Sequence, residues 1–565
     1  MITGMITGMI TGMGTGQRRG RRTEDGGRGR RTGTGDGDGG RGTGQGRGRL
    51  RGSLVPSSAD RPGCLLSRLA RVPEIPDVRT ESEQIGVRRD KYDRLVAAGT
   101  PPYPLGYPRT ATLAEVRAGH PDLGPDVQTG TTVAVAGRVV LSRTGGKLCF
   151  ATLQEGEASL QVMVSLDGVG EQRLAAWKAD VDLGDHVGVT GEVISSRRGE
   201  LSVLVSDWAM TAKALRPLPD KHKGLTDPEA RIRQRYVDLV VNAVSRQMVR
   251  DRATVVRTVR DVLHGHGFLE VETPTLQAVH GGAAAKPFGT HLNALDLEVT
   301  LRIALELYLK RAVVGGIDRV FEIGKNFRNE GIDATHFPEF TMLEFYQAYG
   351  DYDTVADLTR ELVLAAARAI GRTVVCDGRV DLEQPWRSAT LHELVSEAVG
   401  ETIDPGTAVE RLLALAERFG VDTLQPGWDA GEVALELFEK LVEHTLVQPT
   451  FVRDYPLSSR PLARNHRDDP RLTEAWDLVV GGVELATGYS ELVDPVEQRR
   501  RLVEQSRKAA GGDPEAMQLD EDFLRALEHG APPMGGQGMG IDRLVMLLTG
   551  QPVRETILFP LVRPL

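Results

Sequence analysis

The chain has 565 residues, 40% apolar and 26% charged, with a net charge of −9, which is long enough for more than one buried core. Its three cysteines, Cys64, Cys149 and Cys376, are scattered without Cys-x-x-Cys spacing, which excludes a disulfide framework and a thiolate zinc site. No apolar run approaches the ~18 residues that span a bilayer, and the start lacks an apolar stretch with a small-residue cleavage site, so a soluble, cytoplasmic chain with no membrane partner is expected.

The charge is unevenly spread. Residues 1–52 hold eleven Arg against Glu24, Asp25, Asp36 and Asp38, a balance of +7 that leaves −16 for the rest. So acidic a fold would meet nucleic acid only through a local basic surface, because its summed field repels phosphate. The start repeats Met-Ile-Thr-Gly three times and turns Gly/Arg/Thr-rich up to Gly52. Such a composition cannot bury enough apolar surface to fold, so residues 1–80 are expected as a disordered extension. The extension is either a loose RNA-binding arm or dispensable, and Met13 could be an internal start.

Residues 81–130 read as an N-terminal helical segment, with a short helix over Val87–Ala98 followed by Pro101-Pro102-Tyr103-Pro104. From 131 to 216 the texture changes to Val/Leu-rich runs separated by Gly turns such as Gly145-Gly146, among them Val133–Leu141, Leu160–Val164, Gly188–Ile194 and Leu201–Val205. Five short strands with one helical interruption near Gln172–Ala179 predict an OB-fold β-barrel, a shape that holds single-stranded nucleic acid but also sugars and proteins. Pro217 and Pro219 open a linker over 217–245 that carries the basic Arg231-Ile-Arg-Gln-Arg235. A helix with Val249, Ala253, Val256, Val259 and Leu263 at helical spacing then ends at Gly265 and Gly267, before the strand Phe268–Glu272 and Pro274. The block 246–565 mixes strands and helices, with a mostly helical insertion at about 352–443.

Three stretches carry chemistry. No P-loop is present, since Gly145-Gly146-Lys147 runs into Leu148, and His264-Gly-His266-Gly267 closes a helix. Arg319–Glu330 and Phe337–Tyr346 read as strand, loop, strand, and alternation puts Phe340, Met342, Glu344 and Tyr346 on one face, with Arg328 and Glu330 offered from the loop. Those charges need partners, supplied either by a structural ion-pair network or by a substrate. In Asp477–Glu491, Asp477 and Glu484 could share a magnesium ion, which takes one or two carboxylates with phosphate oxygens and water. Glu484 and Glu491 have opposite parity, so both face one site only if the strand bulges near Ala486-Thr487-Gly488. Last, Gly535-Gly-Gln-Gly538-Met-Gly540-Ile-Asp-Arg543 opens a helix whose N-terminus, with Arg543, would attract phosphate.

Together these stretches resemble the three signature motifs of class II aminoacyl-tRNA synthetases: Gly267–Gln277 with Pro274, Phe327–Phe340, and Gly538–Arg543. Within the class, residues 85–565 are most similar to the lysyl-tRNA synthetase family, through Gly281–Phe288, Leu301–Ala304, Glu306-Leu-Tyr-Leu-Lys-Arg311 and Ile557–Pro560. The run Val483–Gln498 resembles the synthetase part of bacterial fusions that lysylate phosphatidylglycerol, and the membrane half of such fusions has no counterpart here.

The resemblance implies an α+β fold: an OB-fold anticodon-binding domain before a class II catalytic domain with a mainly antiparallel sheet, in a homodimer joined through the first motif. It implies ATP, L-lysine and tRNA(Lys) as partners and Mg2+ as cofactor. Carried over, Arg328 and Arg543 are the catalytic arginines, on the α- and γ-phosphates of ATP; Phe340 stacks on adenine, with Glu330 by its amino group. Asp477 and Glu484 are the metal ligands, Glu484 also serving ATP; Gly282, Glu306, Glu344, Tyr346, Tyr489 and Glu491 form the lysine pocket. Phe150, Gln161 and Glu200 match anticodon contacts, with ordinary strand roles as the alternative. Lysine brings two ammonium groups, which three glutamates suit and which an acidic amino acid lacks.

The chain departs from the family pattern in placing Asp477 for Glu, Phe337 for Asn, Leu305 for Pro, Val483 for Arg and Ala486-Thr487 for Gly-Asn. These changes bear on metal geometry and on lysine affinity. Two rivals remain open: a specialised paralogue supplying lysyl-tRNA to lipid lysylation or a biosynthetic pathway, and a non-catalytic RNA-binding relative.

Overall fold

The computed structural model describes residues 83–219, 224–511 and 516–564, so the extension expected at 1–80 lies outside the described residues. Helices α1 (Glu83–Ala97) and α2 (Leu113–Gly119) come first. The second starts where a capping box dictates: the Thr112 hydroxyl accepts from the Glu115 amide, and the Glu115 carboxylate accepts from the Thr112 amide.

Five strands then close into a barrel in the order β1-β2-β3-β5-β4: β1 (Gln128–Thr144), β2 (Leu148–Glu155), β3 (Ala158–Ser165), β4 (His186–Ser195) and β5 (Leu201–Ala212). Strict alternation sends Cys149, Ala151 and Leu153 of β2 and Leu160, Val162 and Val164 of β3 into the barrel core. Helix α3 (Leu166–Asp180) starts six residues earlier than the predicted 172–179, because the Ser165 hydroxyl caps it by accepting from the Gly168 amide. Its Trp177 plugs the barrel edge-on to Trp208, with ring centroids 5.2 Å apart.

The segment expected as a linker differs. It holds two short helices, α4 (Pro228–Arg233) and α5 (Arg235–Val241), tied down by buried charge. The Arg235 guanidinium lies 2.7 Å from Asp238 and 2.8 Å from Glu555 near the other end of the chain. Helix α6 (Ala243–Gly265) follows, and it too departs from the sequence reading. Its apolar residues exceed one face: Met248, Val255, Val259 and Leu263 pack inward, while Val249 and Ala253 are left exposed.

The remaining elements, in chain order, are β6 (Leu269–Glu270), β7 (Leu276–Gln277), β8 (Gly289–Leu292), β9 (Leu297–Leu301), α7 (Glu306–Val314), β10 (Arg319–Phe327), β11 (Glu339–Ala348) and α8 (Tyr352–Ala369). The hairpin β12 (Val374–Val375) and β13 (Val380–Asp381) leads to β14 (Arg387–Thr390), α9 (Leu391–Val399), α10 (Val409–Phe419) and α11 (Ala430–Leu441). Then come β15 (Thr450–Pro456), β16 (Leu472–Val480), β17 (Val483–Ser490), α12 (Pro495–Ala510), α13 (Glu521–Glu528), β18 (Met534–Gly540) and α14 (Ile541–Thr549). Eight of these strands form one sheet in the order β14-β15-β16-β17-β18-β11-β10-β6, antiparallel except for the outermost pair at each edge.

The helical insertion predicted at 352–443 is narrower than its sequence suggested. Helix α8 belongs to the main core, where Val355, Leu362, Val363 and Ala366 pack with Phe345 and Trp476, and β14 extends the sheet. Helices α9 to α11 build a second core with the opposite face of β15 and β16, through Leu394, Leu412, Leu415, Leu437, Val452 and Val479. Strand β16, covered on both sides, is buried at every residue. Among the described residues, no helix is long and apolar enough to cross a membrane.

One buried ion pair ties the end of the barrel to its loops. The Lys213 ammonium, fully buried, lies 2.6 Å from Asp182 and 2.8 Å from the equally buried Asp185. Removing one partner of such a pair strands the other charge, so Lys213→Ala is expected to destabilise the barrel by about 3–5 kcal/mol. Denaturant unfolding followed through Trp177 and Trp208 fluorescence measures it, and Lys213→Ala with an unchanged midpoint would contradict the burial argument.

Candidate active site

The central hairpin sets the site. Strand β11 pairs with β10 on one side and β18 on the other, and its side chains alternate: Leu343 and Phe345 enter the main core, while Phe340, Met342, Glu344 and Tyr346 face a cavity. Strand β17 lies on the far side of β18 and contributes from the same surface. The bulge demanded by parity exists, one position before the expected stretch. Leu478 pairs with Ala486 but Val479 pairs with Glu484, so Leu485 is the extra residue. This shift turns Glu484 to the same cavity as Thr487, Tyr489 and Glu491.

The cavity, about 430 Å³, is lined by Gly282, Glu306, Arg328, Glu330, Phe340, Glu344, Tyr346, Asp477, Glu484, Tyr489, Glu491 and Arg543, all twelve residues expected in this part of the chain. Its inner end is acidic. Glu306, the first residue of α7, lies with Glu344 and Glu491 among buried side chains. The Glu344 carboxylate accepts from the Leu305 amide (2.9 Å) and from the Tyr346 hydroxyl (3.2 Å). Burial, with Glu306 facing it, pushes the Glu344 carboxyl up to about 7. Burial also pushes Glu491 up, against the pull of the Lys310 ammonium. That ammonium, one helical turn along from Glu306, is buried, lies 2.5 Å from Glu306 and pairs with Glu491.

Two glycines make the room. Gly282 has φ +88°, and a Cβ there would come within 3.0 Å of Ala304 and 3.1 Å of Glu306. A Cβ on Gly536 would overlap both the Glu491 carboxylate and the Tyr346 ring.

The outer end is cationic. Arg328 leaves β10 with its guanidinium 5.2 Å from the Phe340 ring centroid, and burial lowers its pKa. From the first turn of α14, Arg543 donates to the Glu484 carbonyl (2.7 Å) and carboxylate (3.2 Å), and to His336 Nε2 (3.0 Å). Arg460 lies 2.5 Å from the buried Asp477 carboxylate, against which the Tyr455 and Thr487 hydroxyls also lie. Among the described residues no group of three or more His, Cys, Asp and Glu could hold a metal by itself. Two carboxylates lining one cavity, Asp477 and Glu484, fit a magnesium ion that takes its other ligands from phosphate and water.

Phe150, Gln161 and Glu200 lie on the barrel instead. Phe150 and Gln161 are half-buried on β2 and β3, where Gln161 Nε2 donates to Ser202 Oγ (2.9 Å); exposed Glu200 lies 3.6 Å from Arg117.

Sequence reasoning assigned no role to Lys310, Arg460, His336 or Gln537, all at or behind this cavity. Lys310 carried a signal, its i,i+4 spacing from Glu306 on a predicted helix. Arg460 carried none, because 17 residues of chain separate it from Asp477.

A Gly-rich strand feeding a phosphate-attracting helix, a charged antiparallel hairpin and an OB barrel define a class. The family described as tRNA synthetases class II (D, K and N) matches residues 227–563, and that of the OB-fold nucleic acid binding domain matches residues 133–210. The chain belongs to the class II tRNA synthetases. It is 57% identical over 496 residues to a lysine–tRNA ligase of Kineococcus radiotolerans, covering 86% of this chain and 99% of that one. A lysine–tRNA ligase 1 of Mycobacterium tuberculosis is 56% identical over 492 residues, 85% of this chain and 97% of its own. A lysylphosphatidylglycerol biosynthesis bifunctional protein of Nocardia farcinica is 52% identical over 490 residues, 85% of this chain and 43% of its own length.

Proposed function

We propose that the chain activates L-lysine with ATP to lysyl-adenylate and transfers the lysyl group to tRNA(Lys) in the cytoplasm. One observation carries this reading: three buried carboxylates share a cavity with Tyr346, beside a cradle formed by Arg328 and Arg543. Lys310 is one ammonium among three buried carboxylates, which leaves room for further positive charge, and lysine brings two ammonium groups. The relatives named as lysine–tRNA ligases support the same substrate.

In this reading Glu306, Glu344 and Glu491 hold the two ammonium groups and aim the lysine carboxylate at the α-phosphate. Arg328 orients that phosphate and takes up the charge that develops on it; Arg543 holds the γ-phosphate, and Phe340 carries the adenine with Glu330 at its amino group. A bound magnesium ion, held by Asp477 and Glu484, would add Lewis-acid stabilisation to the phosphate oxygens. The carboxylate attacks in line and pyrophosphate leaves; the terminal ribose hydroxyl of tRNA then attacks the acyl carbon and AMP leaves, so positioning and charge stabilisation do the work without a protein nucleophile. On the barrel, Phe150 would stack on an anticodon base, with Gln161 and Glu200 as hydrogen-bonding groups. A homodimer joined through the first motif, Gly267–Gln277, is supported by the apolar side chains left exposed there, Leu269 and Leu276, with Val249 on the preceding helix.

Lysine-dependent ATP/pyrophosphate exchange tests the assignment. Arg328→Ala is expected to lower the exchange rate by at least about 10²-fold, as loss of one preorganised donor does; exchange supported by aspartate but not lysine would overturn the reading. The same assay read against pH has a defined sign. The empty pocket holds a proton on Glu344 up to about pH 7, facing Glu306, the Tyr346 hydroxyl, the Leu305 amide and Arg328. Burial raises Glu491 in the same pocket as well, and bound lysine must displace such protons, so KM for lysine should rise as pH falls from 8 to 6. A profile flat from pH 6 to 8 would contradict this.

A further inference from the structure

The positive charge paired with Asp477 comes from a place that neither spacing nor motif singles out. Arg460 sits just past β15, in the turn that leads to Pro461, and its guanidinium packs over the Tyr455 ring at 4.2 Å and meets Asp477 Oδ2 at 2.5 Å. It is mostly buried and lines the cavity. In the same contact Arg460 Nε is buried without a hydrogen-bond partner, and the Tyr455 and Thr487 hydroxyls lie against the Asp477 carboxylate. Only Oδ2 of the buried carboxylate meets a charge; what lies against the rest of it is neutral hydroxyl, which a cation can displace.

Each of the two carboxylates suited to the metal already has an arginine: Asp477 has Arg460 and Glu484 has Arg543. Glu439 and Glu443 face the cluster from α11 and the turn after it. In the nucleotide-free cavity, a divalent cation arriving at Asp477 meets a carboxylate whose charge is already balanced, with a second arginine close by. A triphosphate changes the sum, because its negative charge outweighs both arginines. Cation and nucleotide then stabilise each other, and by linkage each raises the affinity of the other by the same factor.

We propose that Arg460 is a positioning residue of the metal site, an internal counter-cation that holds one oxygen of Asp477 and leaves the other for the metal, so that tight divalent-cation binding waits for the nucleotide. Aspartate is one methylene shorter than glutamate, so it reaches less far into the cavity, and the guanidinium fixes the orientation of its carboxylate. The proposal rests on the assignment of Asp477 and Glu484 as metal ligands.

Binding of Mn2+ to the full-length protein, followed by the loss of the free-ion paramagnetic resonance signal, reads this directly and without turnover. Without nucleotide, Arg460→Ala is expected to bind Mn2+ about tenfold or more tighter than the unaltered protein, since removing one nearby unit charge at an effective dielectric constant of about 20 is worth at least that much. Arg460→Gln, which keeps a donor for Asp477 without the charge, should show the same gain and serves if the alanine variant does not fold; Arg460→Lys should show little gain. With ATP present the difference should shrink, so the factor by which nucleotide tightens Mn2+ falls in the neutral variants. Unchanged Mn2+ affinity in Arg460→Gln would overturn the counter-cation role. A separate result, Mn2+ bound with ATP and insensitive to Asp477→Asn, would instead remove the metal-ligand assignment beneath it.

Discussion

Three carboxylates are buried within reach of one another at the inner end of this cavity, and the rest of the site is arranged around that fact. Taking a carboxylate out of water costs several kcal/mol even after relaxation, and placing three together adds repulsion. The fold offsets part of that cost with Lys310, which pairs with Glu306 and Glu491 from behind the cavity wall, and with the Leu305 amide and Tyr346 hydroxyl, which donate to Glu344. What is left uncompensated is what a doubly cationic ligand can supply. The strained resting pocket and its specificity therefore have one physical origin.

The scaffold makes that concentration of charge affordable by fixing backbone before side chains. Glu344 stands on a central strand paired on both sides, Glu306 begins a helix that packs on that strand, and Glu491 follows the strand bulged at Leu485. Such a bulge costs a ladder bond and returns a change of parity, without which Glu484 and Glu491 would face opposite sides. Close packing does the same at Gly536, where any side chain would displace both Glu491 and Tyr346. At the other end, arginines pair with acids, Arg460 with Asp477 and Arg543 with Glu484, before nucleotide arrives.

Much of this was legible in the sequence where periodicity and chemistry coincide. Alternation along Phe340–Tyr346 put four side chains on one face, and parity between Glu484 and Glu491 required an irregularity whose position missed only by one residue. The barrel was readable from Gly-punctuated Val/Leu runs, because its inward face is almost wholly apolar. Readings failed where apolar residues outnumber a single face or where contacts span the chain. On α6 the spacing favoured Val249 and Ala253, but the stripe through Met248 and Val255 meets the core. The segment 217–245 looked like a linker because its order comes from Glu555, over 300 residues away. Helix α8 read as part of an insertion although it packs under the central sheet, since amphipathicity reports burial and not the partner. Arg460 could not be found at all, because only the fold brings it to Asp477.

In the proposed reaction the carboxylate cluster selects a side-chain ammonium group. The most direct measure of that selection is the ratio of kcat/KM in ATP/pyrophosphate exchange for lysine over norleucine, which has the same apolar chain length and no terminal charge. A site whose buried polar groups would be left unpaired rejects such an analogue by about 10⁴-fold, and Glu491→Gln should erode most of that ratio. Norleucine used within about tenfold of lysine, or a ratio untouched by Glu491→Gln, would contradict the account.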